Sequence, residues 1–137
     1  MPFVVDASVA ACWLLPDERH SVAETAFQRI AHDPAVAPSL WWYELRNILI
    51  VSERRGRLDT AATARALRLL GRLPITSDAA VEEEALLQLA RRHRLTVYDA
   101  AYLELAQRMN MPLATLDAEL AIAARAENVR LIGDERT

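Results

Sequence analysis

Four acidic side chains stand where a carboxylate can do chemistry. Asp6 follows Phe3-Val4-Val5, an apolar triplet that reads as a short buried strand. Asp117 follows Leu113-Ala114-Thr115, another strand of the same kind. Asp99 opens a helix that is apolar nearly all round, and Glu44 lies within a helix, on the border of its core-facing stripe. Each has an ordinary structural use. Asp6 and Asp117 suit helix N-caps. Thr96-x-x-Asp99 has the spacing of a capping box. Glu44 has no capping duty, but it can pair with an arginine.

The chemical use depends on whether the four meet. In a parallel sheet all strands point one way, so acids that follow different strands collect on one edge, together with helix N-termini. Carboxylates crowded into one pocket repel and shift toward their neutral forms. A divalent cation removes that cost. Oxygen ligands without His or Cys favour a hard ion, Mg²⁺ or Mn²⁺, over zinc. The three histidines (His20, His32 and His93) show no ligand spacing and fit solvated helix faces or ends. An all-carboxylate magnesium site suits the hydrolysis of phosphodiesters, with arginines at the rim to hold a nucleic-acid backbone.

The elements that must carry these acids alternate between strand and helix. The hydrophobic periodicity predicts helices over 9–15, from the turn at Pro16 to about His32, and over 40–55, 60–70, 78–93, 99–109 and 118–126. Short extended pieces are expected at 3–5, 35–37, 73–75, 112–115 and 129–132, and a polar tail from Gly133 to Thr137. Ser39, Asp59 and Ser77 are the expected N-caps, and Gly56 the expected helix stop. The implied fold class is α/β, with a short, mostly parallel central sheet flanked by helices.

The chain of 137 residues fits a single domain over 1–137, and its hydrophobic fraction of 53% is ample for a core without disulfides. The lone Cys12 lies in an apolar run, which fits a reducing cytoplasm. No signal peptide is evident, and no run approaches the roughly 20 apolar residues of a membrane span. A cytoplasmic protein without a membrane is therefore expected. The net charge of -3 argues against coating nucleic acid by bulk charge, but not against a nuclease. All 16 basic residues are arginine. The absence of lysine excludes P-loop NTPases and Schiff-base enzymes.

Val4-Val5-Asp6-Ala7-Ser8, Glu44-Leu45-Arg46-Asn47, Tyr98-Asp99-Ala100-Ala101-Tyr102-Leu103-Glu104-Leu105-Ala106 and Ala114-Thr115-Leu116-Asp117 together resemble the PIN domain. The likeness is nearest to VapC toxins of toxin–antitoxin pairs and covers essentially the full length. The resemblance implies a PIN-like fold and a type II toxin: a Mg²⁺- or Mn²⁺-dependent endoribonuclease that leaves a 5′-phosphate and a 3′-hydroxyl. It implies metal coordination and catalysis by Asp6, Glu44, Asp99 and Asp117, with Ser8, Asn47 and Thr115 in support. It also implies an RNA substrate, a homodimer, and a small antitoxin that inserts an apolar segment near the acids. Glu119 is either a further acid beside the site or a charge at a helix N-terminus.

Two rivals belong to other classes. One is a catalytically silent binding module on the same fold. The other is a phosphohydrolase with an Asp-x-Asp nucleophile, which Ser8 disfavours by standing where the second Asp would be. Trp41-Trp42-Tyr43 is an unusual aromatic run. A helix turns only part of its circumference to the core, so at least one of these rings is expected to face outward, toward a second copy, the antitoxin or RNA bases. Arg54, Arg55 and Arg57 form a basic cluster with the same ambiguity.

Overall fold

Residues 1–134 are described by the computed structural model. The elements run β1 (Phe3–Val5), α1 (Ala7–Leu14), α2 (Ser21–Ile30), β2 (Ala35–Pro38), α3 (Leu40–Arg54), α4 (Thr60–Leu70), β3 (Ile75–Asp78), α5 (Glu83–His93), α6 (Val97–Met109), β4 (Leu113–Ala114) and α7 (Ala118–Ala126). The strands form one parallel sheet in the order β3-β2-β1-β4. β1 is central and wholly buried, which is why its sequence is an unbroken apolar run rather than an alternating one.

Val4 pairs with Val36 on one side and with Leu113 on the other. From β1 the chain crosses to β2 in one direction, whereas β4 lies on the opposite side. The reversal between β1 and β4 opens a crevice at their carboxyl ends, the usual ligand position in an open α/β sheet. α6 packs against β1, β2 and β4, and its run Tyr102-Leu103-Glu104-Leu105-Ala106 is buried, as an all-round apolar helix requires. No helix among the described residues is long and apolar enough to cross a membrane.

Several boundaries differ from the sequence expectation, each for a physical reason. Asp59 caps α4 through Ala62 N–H, and Gly56 ends the turn after α3 at φ +74°, both as expected. Ser39 makes no capping bond, because its backbone is already helical. Ser77 and Asp78 do not open a helix. They extend β3, where Ser77 pairs with Ala37 and Asp78 with Pro38, and α5 starts later, at Glu83.

α2 also starts later than expected. His20 Nδ1 accepts from Val22 N–H at its head, at 3.2 Å. The last expected strand shrinks to a single bridge between Leu131 and Leu113. The end of the expected polar tail, residues 135–137, lies outside the described residues.

Candidate metal and phosphodiester site

Asp6 is the first residue past β1. Its N–H donates to Ala114 O on β4 (3.1 Å), and its side chain caps α1 through Val9 N–H (3.0 Å). The capping use and the site position are thus compatible. Ser8 Oγ donates to Asp6 Oδ1 (2.6 Å), and the Thr115 hydroxyl donates to Oδ2. Ser8 Oγ also accepts from Leu116 N–H (3.0 Å), and Thr115 Oγ1 from Asp117 N–H (3.0 Å). The two strand ends are therefore stitched together by hydroxyls. Oδ1 carries two donors and is full, whereas Oδ2 carries one and keeps a lone pair free.

Asp117 caps α7 with Oδ1, which accepts from Glu119 N–H (2.9 Å) and Leu120 N–H (3.3 Å). Asp99 sits in the first turn of α6, where Thr96 Oγ1 accepts its N–H (3.1 Å). The return half of a capping box, Thr96 N–H to the Asp99 carboxylate, is missing among the described residues. Glu44 projects from α3 and accepts from the Tyr102 hydroxyl. Asp6, Ser8, Glu44, Asn47, Asp99, Tyr102 and Asp117 line one cavity of about 280 Å³. A larger hollow of about 400 Å³, between α1 and α2, holds none of the four acids.

Burial pushes the Asp6 carboxyl above its ordinary range. Hydrogen bonds from Ser8, Thr115 and Val9 pull it partly back, and the charge of Asp117 pushes it up again. Glu44 is raised by burial, relieved by the Tyr102 hydroxyl, and raised further by Asp99 and Asp6. Asp99 is raised by burial and by Asp117, eased by the Thr96 hydroxyl, and raised again by Glu119. Each of these three acids thus feels like charges from its neighbours. Among the described residues none of the four makes a salt bridge.

The arginine partner considered for Glu44 is therefore replaced by a phenol. No three of the described His, Cys, Asp or Glu side chains close on one point as the ligands of a single ion do. The donor set itself, oxygen-only and short of positive charge, fits a hard divalent ion.

The structure brings all four sequence-identified acids to one pocket. Ser8 and Thr115 are hydrogen-bonded to Asp6. Asn47 lines the cavity about one turn beyond Glu44, with no hydrogen bond to it among the described residues. Ser8, in donating to Asp6, fills the place where an Asp-x-Asp pair would have its second acid. Tyr102, expected from the sequence only as part of the apolar helix, was not among the candidate site residues. Its signal was only a polar hydroxyl on an otherwise apolar helix.

The aromatic run divides as helix geometry requires. Trp41 is buried, and Trp42 and Tyr43 are exposed. Arg46 lies over the Trp42 ring, 3.6 Å from its centroid. Arg57 of the basic cluster is paired with Asp17 and Glu18, both at 2.9 Å.

The PIN domain family matches residues 3–126 of this chain. Ribonuclease VapC3 of Pyrobaculum aerophilum is 38% identical over 125 residues, spanning 88% of this chain and 93% of that protein. Ribonuclease VapC9 of Mycobacterium tuberculosis is 34% identical over 125 residues, spanning 90% and 92%. Among solved structures, PAE2754 from Pyrobaculum aerophilum superposes with a TM-score of 0.71 at 26% identity, covering 90% of this chain and 84% of that one. VapC20 of Mycobacterium tuberculosis, a sarcin-ricin loop cleaving toxin, has a TM-score of 0.59 at 15% identity, covering 88% and 94%, a likeness of fold alone.

Proposed function

Because the chain belongs to the PIN domain family, and within it to the VapC-type ribonucleases, we propose that it is a Mg²⁺- or Mn²⁺-dependent endoribonuclease, the toxin of a type II toxin–antitoxin pair. One observation carries the reading. Four carboxylates, from the N-caps of α1 and α7 and from α3 and α6, line a single cavity, and among the described residues no basic side chain pairs with any of them.

Asp6, Glu44, Asp99 and Asp117 would hold the ion. When bound, a hard divalent cation supplies polarisation of a phosphate oxygen and a nucleophilic water at neutral pH. The chain's own residues supply the rest. The hydroxyls of Ser8 and Thr115 fix the Asp6 carboxylate and leave one lone pair of Oδ2 open. Asp117, tied to the α7 N-terminus through Oδ1, presents Oδ2. Asp99 offers a carboxylate that no arginine or histidine among the described residues neutralises. The Asn47 amide, free at the cavity wall, can donate to a phosphate oxygen.

The substrate is RNA, cut to a 5′-phosphate and a 3′-hydroxyl. The protein works in the cytoplasm as a homodimer and is silenced by a small antitoxin. The test is cleavage of single-stranded RNA by the purified chain. It should require Mg²⁺ or Mn²⁺, stop with a chelator and vanish in Asp99→Asn. Expression alone should arrest growth, and Asp99→Asn should relieve the arrest. Hydrolysis of a small phosphate ester without RNA cleavage would instead favour a phosphohydrolase, and arrest without any cleavage a binding module.

A further inference from the structure

We propose that Tyr102 is a positioning residue for the metal site, its hydroxyl fixing the Glu44 carboxylate so that one oxygen stays free to meet the ion. The inference rests on the metal-dependent reading above and adds a residue to it. Tyr102 is 2% exposed and is among the largest fully buried side chains. It comes from the middle of α6, and its hydroxyl donates to Glu44 Oε1 on α3, 58 residues away in sequence.

The phenol oxygen also lies beside the Ala7 N–H, in the turn that carries Asp6. One buried hydroxyl thus ties α6 to α3 and faces the head of α1. Burial and the neighbouring carboxylates hold the phenol well above its ordinary range, so it remains a donor.

The pairing is specific in its chemistry. Glu44 is the only one of the four acids carried beyond the first turn of its helix, on three rotatable bonds and with no backbone N–H to cap among the described residues. Asp6 and Asp117 are fixed by the backbone N–H groups they cap, and Asp99 sits in the first turn of α6. Glu44 has no such anchor, and the Tyr102 hydroxyl supplies one. A hydroxyl does this without adding positive charge, whereas an arginine in the same place would neutralise the carboxylate and compete with the ion. Oε2 has no protein donor among the described residues.

The experiment measures Mn²⁺ affinity of the purified chain without RNA, by calorimetry or by the Mn²⁺ electron-spin signal, in wild type, Tyr102→Phe, Glu44→Gln and the double variant. Tyr102→Phe keeps the ring and removes only the hydroxyl. It should weaken Mn²⁺ binding by about 10- to 100-fold, the usual cost of losing a partner that orients a ligand. In the Glu44→Gln background the same change should cost almost nothing, because the two residues act through one contact. RNA cleavage by Tyr102→Phe should need correspondingly more Mn²⁺ to reach half its maximum than wild type does.

Unchanged affinity in Tyr102→Phe would overturn the proposal, as would an equal loss in both backgrounds. A purely structural role would lower the melting temperature and leave the affinity alone. Should Tyr102→Phe fail to fold, wild type answers instead: with carbon-13 tyrosine, Mg²⁺ should shift the hydroxyl-bearing ring carbon of Tyr102 but not that of exposed Tyr43. A still Tyr102 signal in a chain that binds Mg²⁺ overturns the proposal. Wild type that neither binds Mn²⁺ nor cleaves RNA overturns the metal-dependent reading itself. Wild type that does both while Tyr102→Phe matches it overturns only the role of Tyr102.

Discussion

Two groups of acids in this molecule are treated in opposite ways. Glu127, just past α7, is gripped by Arg92 Nη1 (2.7 Å), His93 Nε2 (2.6 Å) and Gln107 Nε2 (3.1 Å). The His93 contact above all, with Arg92 and Gln107 and against the opposing effect of burial, lowers its carboxyl to about 2. Buried Glu104 is likewise held by Arg108 Nε at 2.7 Å. Around the β1–β4 crevice, Asp6, Glu44, Asp99 and Asp117 receive hydroxyls and backbone amides but, among the described residues, no guanidinium, and three of them are pushed upward. The fold has arginines to spend and withholds them there. A carboxylate that braces the structure is neutralised by its own neighbours, whereas the crevice acids lack such partners among the described residues, as the proposed cation site requires.

The largest effect that tests this contrast is on cleavage. Asp6→Asn or Asp99→Asn should abolish Mg²⁺-dependent RNA cleavage with an unchanged circular dichroism spectrum, whereas Glu127→Gln should cleave at the wild-type rate. Cation binding comes next. Saturating Mg²⁺ should raise the melting temperature of wild type, with about 2.7 kcal/mol of stabilisation at 100 times the dissociation constant. The gain should disappear in Asp99→Asn and persist in Glu127→Gln. Third, Glu127→Gln should lose about 1–3 kcal/mol in urea denaturation, since it breaks charge-assisted bonds to Arg92 and His93.

The smallest effect is the pH dependence of the metal-free chain. The raised carboxyls of Asp6, Glu44 and Asp99 keep protons in the folded state that the unfolded state would release. Their stabilisation is present below the ordinary carboxylate range and is lost as pH rises through the raised values. Glu127 behaves oppositely: its contribution is present above the ordinary value of 4.5 and is lost as pH falls toward about 2. Without metal, Asp99→Asn should therefore melt above wild type by a few degrees near neutral pH, and thermal scans should find the gap closing toward acid. A gap that widened toward acid would break the comparison.

The residues that were legible from sequence are those whose local chemistry and tertiary duty agree. Phe3-Val4-Val5 can hardly be anything but a buried strand, and Asp6 and Asp117 follow their strands as helix caps that also line the shared pocket. β3 was not legible in full. Ser77 and Asp78 look like the start of a helix, but β2 offers them an open edge, and pairing along that edge outweighs local preference. The strand expected at 129–132 failed for the converse reason: β4 is only two residues long and gives Leu131 one place to pair. In the site, the arginine considered for Glu44 turned out to be Tyr102, a contact between helices that no local pattern encodes.

The stitch between the two strand ends bears on when the pocket can form during synthesis. Ser8 meets Leu116, and Asp6 meets Thr115, across more than a hundred residues. A nascent chain still short of Thr115 has Asp6 without its second hydroxyl and lacks Asp117 altogether. The pocket lined by Asp6 and Asp117 therefore takes shape only after residues 113–117 have been made, so its assembly waits on a segment far down the chain from the strand that starts it.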